Sequence, residues 1–124
     1  MAPPSVLAAL LSALVVAAPL KVAVVAPGHT PTIGKRWYYT VHATRGGKPV
    51  RGRLTAVIVD PIGTSHPVEF GTSTKQITNI AFSGTFRDFI IWPADALGIP
   101  LTLRITVRSG GGKAGYDYHV IPRR

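Results

Sequence analysis

Residues 101–108 read LTLRITVR and form the most regular strand pattern in the chain. Leucine, isoleucine or valine occupies every second position from Leu101 to Val107, and threonine or arginine occupies the positions between them. Successive side chains of a β-strand point to opposite faces of a sheet, so this alternation predicts a strand with one apolar and one charged face. A sheet that buries one face and wets the other is typically antiparallel.

The same period of two recurs along the chain after residue 20. It is clear in residues 37–43 and 116–121, and the nearly continuous apolar run at 54–59 is typical of a central strand. Weaker patterns predict four further strands at residues 22–25, 67–70, 76–82 and 85–91. Trp37 and Tyr39 share the apolar face of their strand. Tyr38 therefore faces outward, where it can bind a sugar or a partner or pair across strands.

Glycine and proline separate these runs. The 124 residues include 13 Gly and 11 Pro, which cluster in breakers such as Gly46-Gly47 and Gly110-Gly111-Gly112. The one helical candidate is a single turn at residues 94–97, closed by Gly98. Parallel strands would need longer crossover helices. The sequence therefore predicts one all-β domain, an antiparallel sandwich of about 7–8 strands over residues 21–124.

The region 82–122 (FSGTFRDFIIWPADALGIPLTLRITVRSGGGKAGYDYHVIP) resembles the last half of bacterial secreted Ig-like or fibronectin-like domains. In those domains a Gly-rich turn precedes an aromatic strand, and a final hairpin closes the sandwich. Gly47-Lys48-Pro49-Val50 is similar to a turn that such domains carry between early strands. The resemblance implies an Ig-like sandwich and no particular activity, because this fold carries many functions. The antibody-type cysteine pair and a tyrosine corner are absent from the sequence.

The N-terminal segment differs from the rest in composition. Residues 6–18 (VLAALLSALVVAA) contain one polar residue, Ser12, and every charged side chain lies at or beyond Lys21. An apolar core of this length is typical of a secretory signal peptide, although no basic residue precedes it. A retained membrane anchor, interrupted by Pro19, and a buried part of the domain are the alternatives. We expect residues 1–20 to be an apolar helix, as signal peptide or anchor, and the domain to be secreted or membrane-anchored.

Several kinds of chemistry are excluded or unsupported by the residues present. The absence of cysteine excludes a disulfide framework, a thiol nucleophile and a Cys-based zinc site. The histidines lack the short spacings of metal ligands, and the five acidic residues are scattered. We predict no catalytic residues, no metal site and no cofactor. A small copper carrier or an enzyme accessory subunit on the same fold is the alternative, and it requires His42 and His119 to converge.

The net charge of +9 is the strongest functional hint. A stretch without acidic residues carries the five candidate anion-binding residues: Arg36, Arg45, Lys48, Arg51 and Arg53. If residues 35–53 formed one hairpin, these side chains would make a single positive patch for an anionic envelope polymer or lipid surface. Nucleic acid is not an expected partner outside a cell. The alternatives are a solvated surface with no ligand, another protein, and a homo-oligomer or fibre built by pairing of edge strands. The sequence thus predicts a non-catalytic, secreted or envelope-attached binding or structural module with a basic surface.

Overall fold

A computed structural model describes residues 18–124 of the chain. The apolar helix expected over residues 1–20 falls mainly on residues 1–17, which lie outside the described part. Its end was wrong, because Ala18 and Pro19 are not helical and Leu20 already begins a strand. Within 18–124, no helix is long and apolar enough to cross a membrane. The described elements are nine strands: β1 (Leu20–Val25), β2 (Arg36–Arg45), β3 (Lys48–Pro49), β4 (Arg51–Val59), β5 (Ser65–Pro67), β6 (Ile80–Ser83), β7 (Thr85–Ile91), β8 (Leu101–Ser109) and β9 (Gly112–Val120). A single 3₁₀ turn at Ala94–Ala96 follows β7 and is close to the predicted helical turn.

The strands form two antiparallel sheets. In the first sheet β2 lies between β1 and β7, and the short β3 pairs with the end of β2. In the second sheet the order is β9, β8, β4, and both β5 and β6 pair with the free side of β4. The predicted all-β, antiparallel, two-sheet architecture is confirmed. The strand count exceeds the expectation because β3 and β5 are only two and three residues long.

The core lies between the two sheets and consists of inward side chains. Leu103, Ile105 and Val107 on β8 are fully buried, as the alternation predicted. Trp37 on β2 is also buried, and its ring lies edge-to-face with Trp92 at a centroid distance of 5.6 Å. These large side chains dominate the buried area, which is the main favourable contribution to folding.

A single hairpin over residues 35–53, the condition for one continuous positive patch, forms only next to its turn. β2 pairs with β3 through only two residue pairs, Thr44 with Pro49 and Arg45 with Lys48. The chain then leaves the first sheet, and β4 becomes a central strand of the second sheet. The apolar run at 54–59 explains this outcome, because a strand with so many β-branched residues is stabilised most at the centre of a sheet.

The chain returns to the first sheet at Gly84, the one residue between β6 and β7. Its φ of 71° lies in the left-handed region, and a Cβ at this position would lie 2.8 Å from the Cβ of Pro49. Only glycine avoids both the backbone strain and the clash. This crossing, together with the step from β3 to β4, ties the two sheets together at the same end of the sandwich.

Candidate anion-binding site

One end of the sandwich is rich in basic side chains, and we name it the basic pole. It contains the start of β1, the end of β2, β3, the start of β4, the end of β8 and the start of β9. Seven basic residues belong to it: Lys21, Arg45, Lys48, Arg51, Arg53, Arg108 and Lys113. None of the five acidic residues of the chain lies in the segments that build it, which are residues 18–21, 42–55, 80–85 and 106–115. The pole is therefore a region of positive potential.

Three of these residues form a row across neighbouring strands. Arg53 on β4 is directly opposite Arg108 on β8, and Arg108 is directly opposite Lys113 on β9. All three are exposed. Neighbouring strands lie only about 5 Å apart, and like charges placed directly opposite one another are destabilising. An anion bound over this row would relieve that repulsion.

Arg45 organises the pole rather than pointing freely into solvent. Its guanidinium donates one hydrogen bond to the carbonyl of Ala18, at 3.1 Å, and one to the carbonyl of Ser109, at 3.0 Å. The first bond fixes the point at which the apolar N-terminal sequence leads into β1. The second joins β2 of the first sheet to the last residue of β8 in the second sheet.

The five candidate residues from the sequence do not form one patch. Arg45, Lys48, Arg51 and Arg53 meet at the basic pole, but Arg36 begins β2 and lies nine residues away along the strand, about 30 Å from Arg45. A hairpin over the whole of residues 35–53 would have brought Arg36 to the other four, but only the two residue pairs next to its turn form. Lys21, Arg108 and Lys113 were missed as members of the site because they are remote in sequence and only strand register brings them in.

Ion pairs do not neutralise the pole. Among residues 18–124 there are two ion pairs, His66 with Asp60 and Arg104 with Asp117, and neither lies there. Arg104 Nε and Asp117 Oδ1 are 2.9 Å apart, and a second contact of 3.1 Å joins Nη2 and Oδ2. This bidentate hydrogen bonding by Arg104 holds the pKa of Asp117 below its ordinary value.

Asp60 is occupied by the turn that follows β4. Its Oδ2 lies 2.9 Å from His66 Nε2, and its Oδ1 accepts the backbone N–H groups of Ile62 and Thr64. The hydrogen bond with His66, assisted by these two N–H groups, lowers the pKa of Asp60. All of these contacts are local, so Asp60 and His66 stabilise a turn.

The histidines do not assemble into a metal site within residues 18–124. His42 lies on the first sheet near Thr85, whereas His119 lies on the second sheet with its Nδ1 2.9 Å from Thr102 Oγ1. His29 stacks on the ring of Tyr118. In this part of the chain no three His, Cys, Asp or Glu side chains are grouped so that they could hold a metal ion. His42 and His119 thus take part in separate contacts, on different sheets.

The opposite end of the sandwich carries apolar loops. Ile62, at the turn after β4, is 88% exposed, and cavities of about 520 and 580 Å³ flank this turn. Neither cavity is lined by Lys or Arg. The cavities therefore provide no cationic site for an anion.

The hypothesis of a homo-oligomer or fibre requires edge strands that can pair with those of another copy of the chain. β1 and β9 are the last strands in the order of their sheets. β9 carries Lys113 and Asp117 on its exposed face. Charged side chains on an edge strand, lysine above all, are one of the devices by which natural sheets discourage pairing with another chain.

The described residues define the class of protein: an all-β, antiparallel, two-sheet protein with a basic end. No protein-family model matches the chain, and no curated protein matches it. Among solved structures, the chain is similar to a DUF4466 family protein from Parabacteroides merdae, with a TM-score of 0.48 and 16% sequence identity. The similarity covers 83% of this chain and 45% of that protein. The chain thus spans less than half of that protein's length.

Proposed function

We propose that the chain is a non-catalytic, Ig-like module of the cell envelope whose basic pole docks on an anionic lipid surface. The order of the strands supports the Ig-like assignment. The first, second and seventh strands share one sheet, and the fourth, eighth and ninth share the other. This division corresponds to that of strands A, B and E from strands C, F and G in immunoglobulin sandwiches.

The observation that carries the proposed function is the coincidence of two features at one end of the molecule. Seven Lys and Arg side chains without an acidic neighbour gather there, and the apolar sequence 6–18 leads into β1 at the same end. Arg45 contacts the carbonyl of Ala18 directly. If the apolar segment is retained as an anchor, it holds the pole at a membrane. If it is removed as a signal peptide, the cations bind the surface reversibly. Each Lys or Arg near an anionic surface contributes about 1 kcal/mol.

Vesicle binding of the full chain tests this proposal. The pole variant replaces Arg51, Arg108 and Lys113 by glutamine; these side chains are exposed and make no hydrogen bond with another residue of 18–124. The matched control replaces Lys35, Lys75 and Arg124, which are exposed elsewhere and change the net charge equally. For each protein we compare binding to vesicles that contain about 30 mol% phosphatidylglycerol with binding to neutral phosphatidylcholine vesicles, as a ratio. The ratio is measured at increasing salt concentration, up to the range in which screening is strong.

We expect the pole variant to lose about a hundredfold of this ratio at low salt, since three charges contribute about 3 kcal/mol. The control variant is expected to change by less than about threefold, and salt should abolish the difference between the two. The apolar segment contributes equally to vesicle binding by the unmodified chain and by both variants, so its effect cancels in the ratio. Equal losses in both triple variants, or a ratio near one for the unmodified chain, would overturn the proposal.

A further inference from the structure

The outward face of the first sheet carries a second arrangement of cations, separate from the basic pole. Four side chains of β2 and β7 form a row there, in which two contacting aromatic rings lie between two guanidinium groups, in the order Arg87, Tyr38, Phe89 and Arg36. The Arg87 guanidinium lies 5.0 Å from the centroid of the Tyr38 ring, and that of Arg36 lies 4.7 Å from the Phe89 ring. The two rings contact each other at a centroid distance of 5.4 Å.

Strand register creates this row. Tyr38 lies directly opposite Phe89, and the two arginines flank that pair: Arg87 is opposite Thr40, and Arg36 is opposite Ile91. Each guanidinium is therefore held over a ring, where cation–π attraction and flat packing restrict its motion. An arginine restricted in this way loses less conformational freedom when it binds an oxyanion.

Both arginines are available to a ligand. They are exposed, and neither forms an ion pair or a side-chain hydrogen bond with another residue of the described chain. Asp88 lies between Arg87 and Phe89 in the sequence, but it belongs to the inward set of β7, and its carboxylate accepts the N–H of Gly71. The outward positions of β1, β2 and β7 contain no acidic residue, and their other basic side chains are His42 and Lys21 of the basic pole.

We propose that Arg36 and Arg87 bind carboxylate groups of an extended acidic polysaccharide laid along this face. A guanidinium matches a carboxylate with two parallel hydrogen bonds. The backbone positions of the two arginines are four residues apart along the sheet, about 13 Å. Two contacting rings lie between their guanidinium groups, so we expect each arginine to engage its own acidic group. Tyr38, which is 38% exposed, lies between them and offers its hydroxyl to a sugar.

The position of the row favours a polymer over a membrane. Arg36 is at the end of β2 remote from the basic pole, about 30 Å from Arg45. A lipid surface that touches the pole does not reach Arg36, whereas an extended polymer can lie along the outward face of the sheet. This binding is a function beyond the docking proposed above, and it uses different residues.

Binding of the full chain to polygalacturonate, by calorimetry at low salt, tests the assignment. The double variant Arg36→Gln/Arg87→Gln is compared with Arg51→Gln/Arg108→Gln, which removes the same charge from the basic pole. Arg36→Lys/Arg87→Lys keeps the charge and loses the planar donor pair. Tyr38→Ala keeps all charges and removes the ring beneath Arg87. Neutral dextran and single-stranded DNA serve as comparison polymers, and far-UV circular dichroism confirms that each variant is folded.

We expect Arg36→Gln/Arg87→Gln to weaken polygalacturonate binding about tenfold or more, because two charge-assisted contacts are lost. The basic-pole variant is expected to weaken it less than about threefold, while Arg36→Lys/Arg87→Lys and Tyr38→Ala fall between these limits. In the vesicle assay the order should reverse, with only the basic-pole variant impaired. Failure of the docking proposal would therefore leave the polysaccharide result unchanged.

Three results would overturn the assignment. One is an equal loss in both double glutamine variants, which shows that only net charge matters. Another is the absence of binding to polygalacturonate by the unmodified chain. The third is binding of DNA as tightly as polygalacturonate with the same dependence on Arg36 and Arg87, which would make the row a general polyanion site.

Discussion

Arg45 and Ser109 join the two sheets of the sandwich at the basic pole. Arg45 ends β2 in the first sheet, Ser109 ends β8 in the second, and Nη2 of the arginine donates to the carbonyl of the serine at 3.0 Å. A basic side chain at this end therefore has a structural role as well as an electrostatic one. This distinction matters for every charge substitution at the pole.

Replacement of Arg45 by glutamine is expected to lower the free energy of unfolding by about 1–2 kcal/mol. The loss comes from two hydrogen bonds of a partly buried cation to backbone carbonyls. Arg51→Gln, which removes an exposed charge at the same pole, should change stability by less than about 0.5 kcal/mol. Urea denaturation of both variants measures the difference. Equal stability of the two variants would mean that Arg45 does not hold the sheets together.

Gly71→Ala is expected to destabilise the fold by about 1–3 kcal/mol through overpacking against Phe89. A Cβ at position 71 would lie 2.7 Å from three atoms of the Phe89 ring. The same ring supports Arg36 in the proposed polysaccharide site. In a Phe89→Leu background the smaller side chain leaves room, so Gly71→Ala should there cost much less. A double-mutant cycle by urea denaturation checks this, and additive effects of the two changes would contradict it.

Acid is expected to destabilise the protein partly through Asp60 and Asp117. The pKa of each is lowered in the folded state, by the His66 hydrogen bond for Asp60 and by Arg104 for Asp117. A lowered pKa contributes stability that is present above the unfolded value, about 3.9, and is lost as the pH falls through the folded value.

Thermal unfolding between about pH 5 and pH 2 tests this expectation. In Asp60→Asn and in Asp117→Asn, the fall of Tm with decreasing pH should be shallower than in the unmodified chain. Asp95→Asn is the control, because its side chain makes no hydrogen bond or ion pair within the described residues. If Tm falls as gradually in Asp95→Asn as in the two test variants, the contacts of Asp60 and Asp117 are not the cause of the loss of stability in acid.

Tyr39→Phe is expected to leave stability unchanged or to raise it by about 1 kcal/mol, because a buried polar group without a partner is removed. Tyr39 is 0% exposed, and its hydroxyl has no hydrogen-bond partner in the described chain. Burial, followed by the nearby Asp88 carboxylate, raises the pKa of this phenol. The stability that comes from this raised pKa is therefore present below the unfolded pKa of about 10 and is lost as the pH rises above that value.

Guanidinium denaturation at pH 7, with a pH series above about pH 10, provides the measurement for Tyr39→Phe. The variant should lose less stability than the unmodified chain on the alkaline side. Tyr116→Phe, at an exposed position of β9, is the matched control and should show neither effect. A loss of more than about 1 kcal/mol in Tyr39→Phe would indicate that the hydroxyl does have a partner.

Most of the fold could be predicted because its signals are local. The alternation at 101–107 identified β8 and its buried face, and the apolar run at 54–59 identified the central strand β4. The weak strands were less well placed: the pattern at 76–82 extended well beyond Ile80–Ser83. Ile77 lies in the loop before β6, and its side chain is buried in the core. The sequence pattern included this core residue in a strand.

The candidate site was only partly predictable. Arg45, Lys48, Arg51 and Arg53 are close in sequence and meet at one pole, but Arg36 is carried to the far end by the extended strand between it and Arg45. No local pattern indicates that Arg53, Arg108 and Lys113 lie side by side. Their meeting depends on the registers of β4 with β8 and of β8 with β9.

Neighbouring residues alone were enough to indicate the period-two strands, the turns between them, the apolar segment before residue 20 and the excess of positive charge. Each of these follows from the chemistry of neighbouring residues and from the two-residue repeat of an extended chain. The tertiary structure alone decided which cations share a surface and which rest on aromatic rings. Those outcomes depend on which strands pair, in which register and in which sheet, and a shift of one residue would turn every side chain of a strand to the other face.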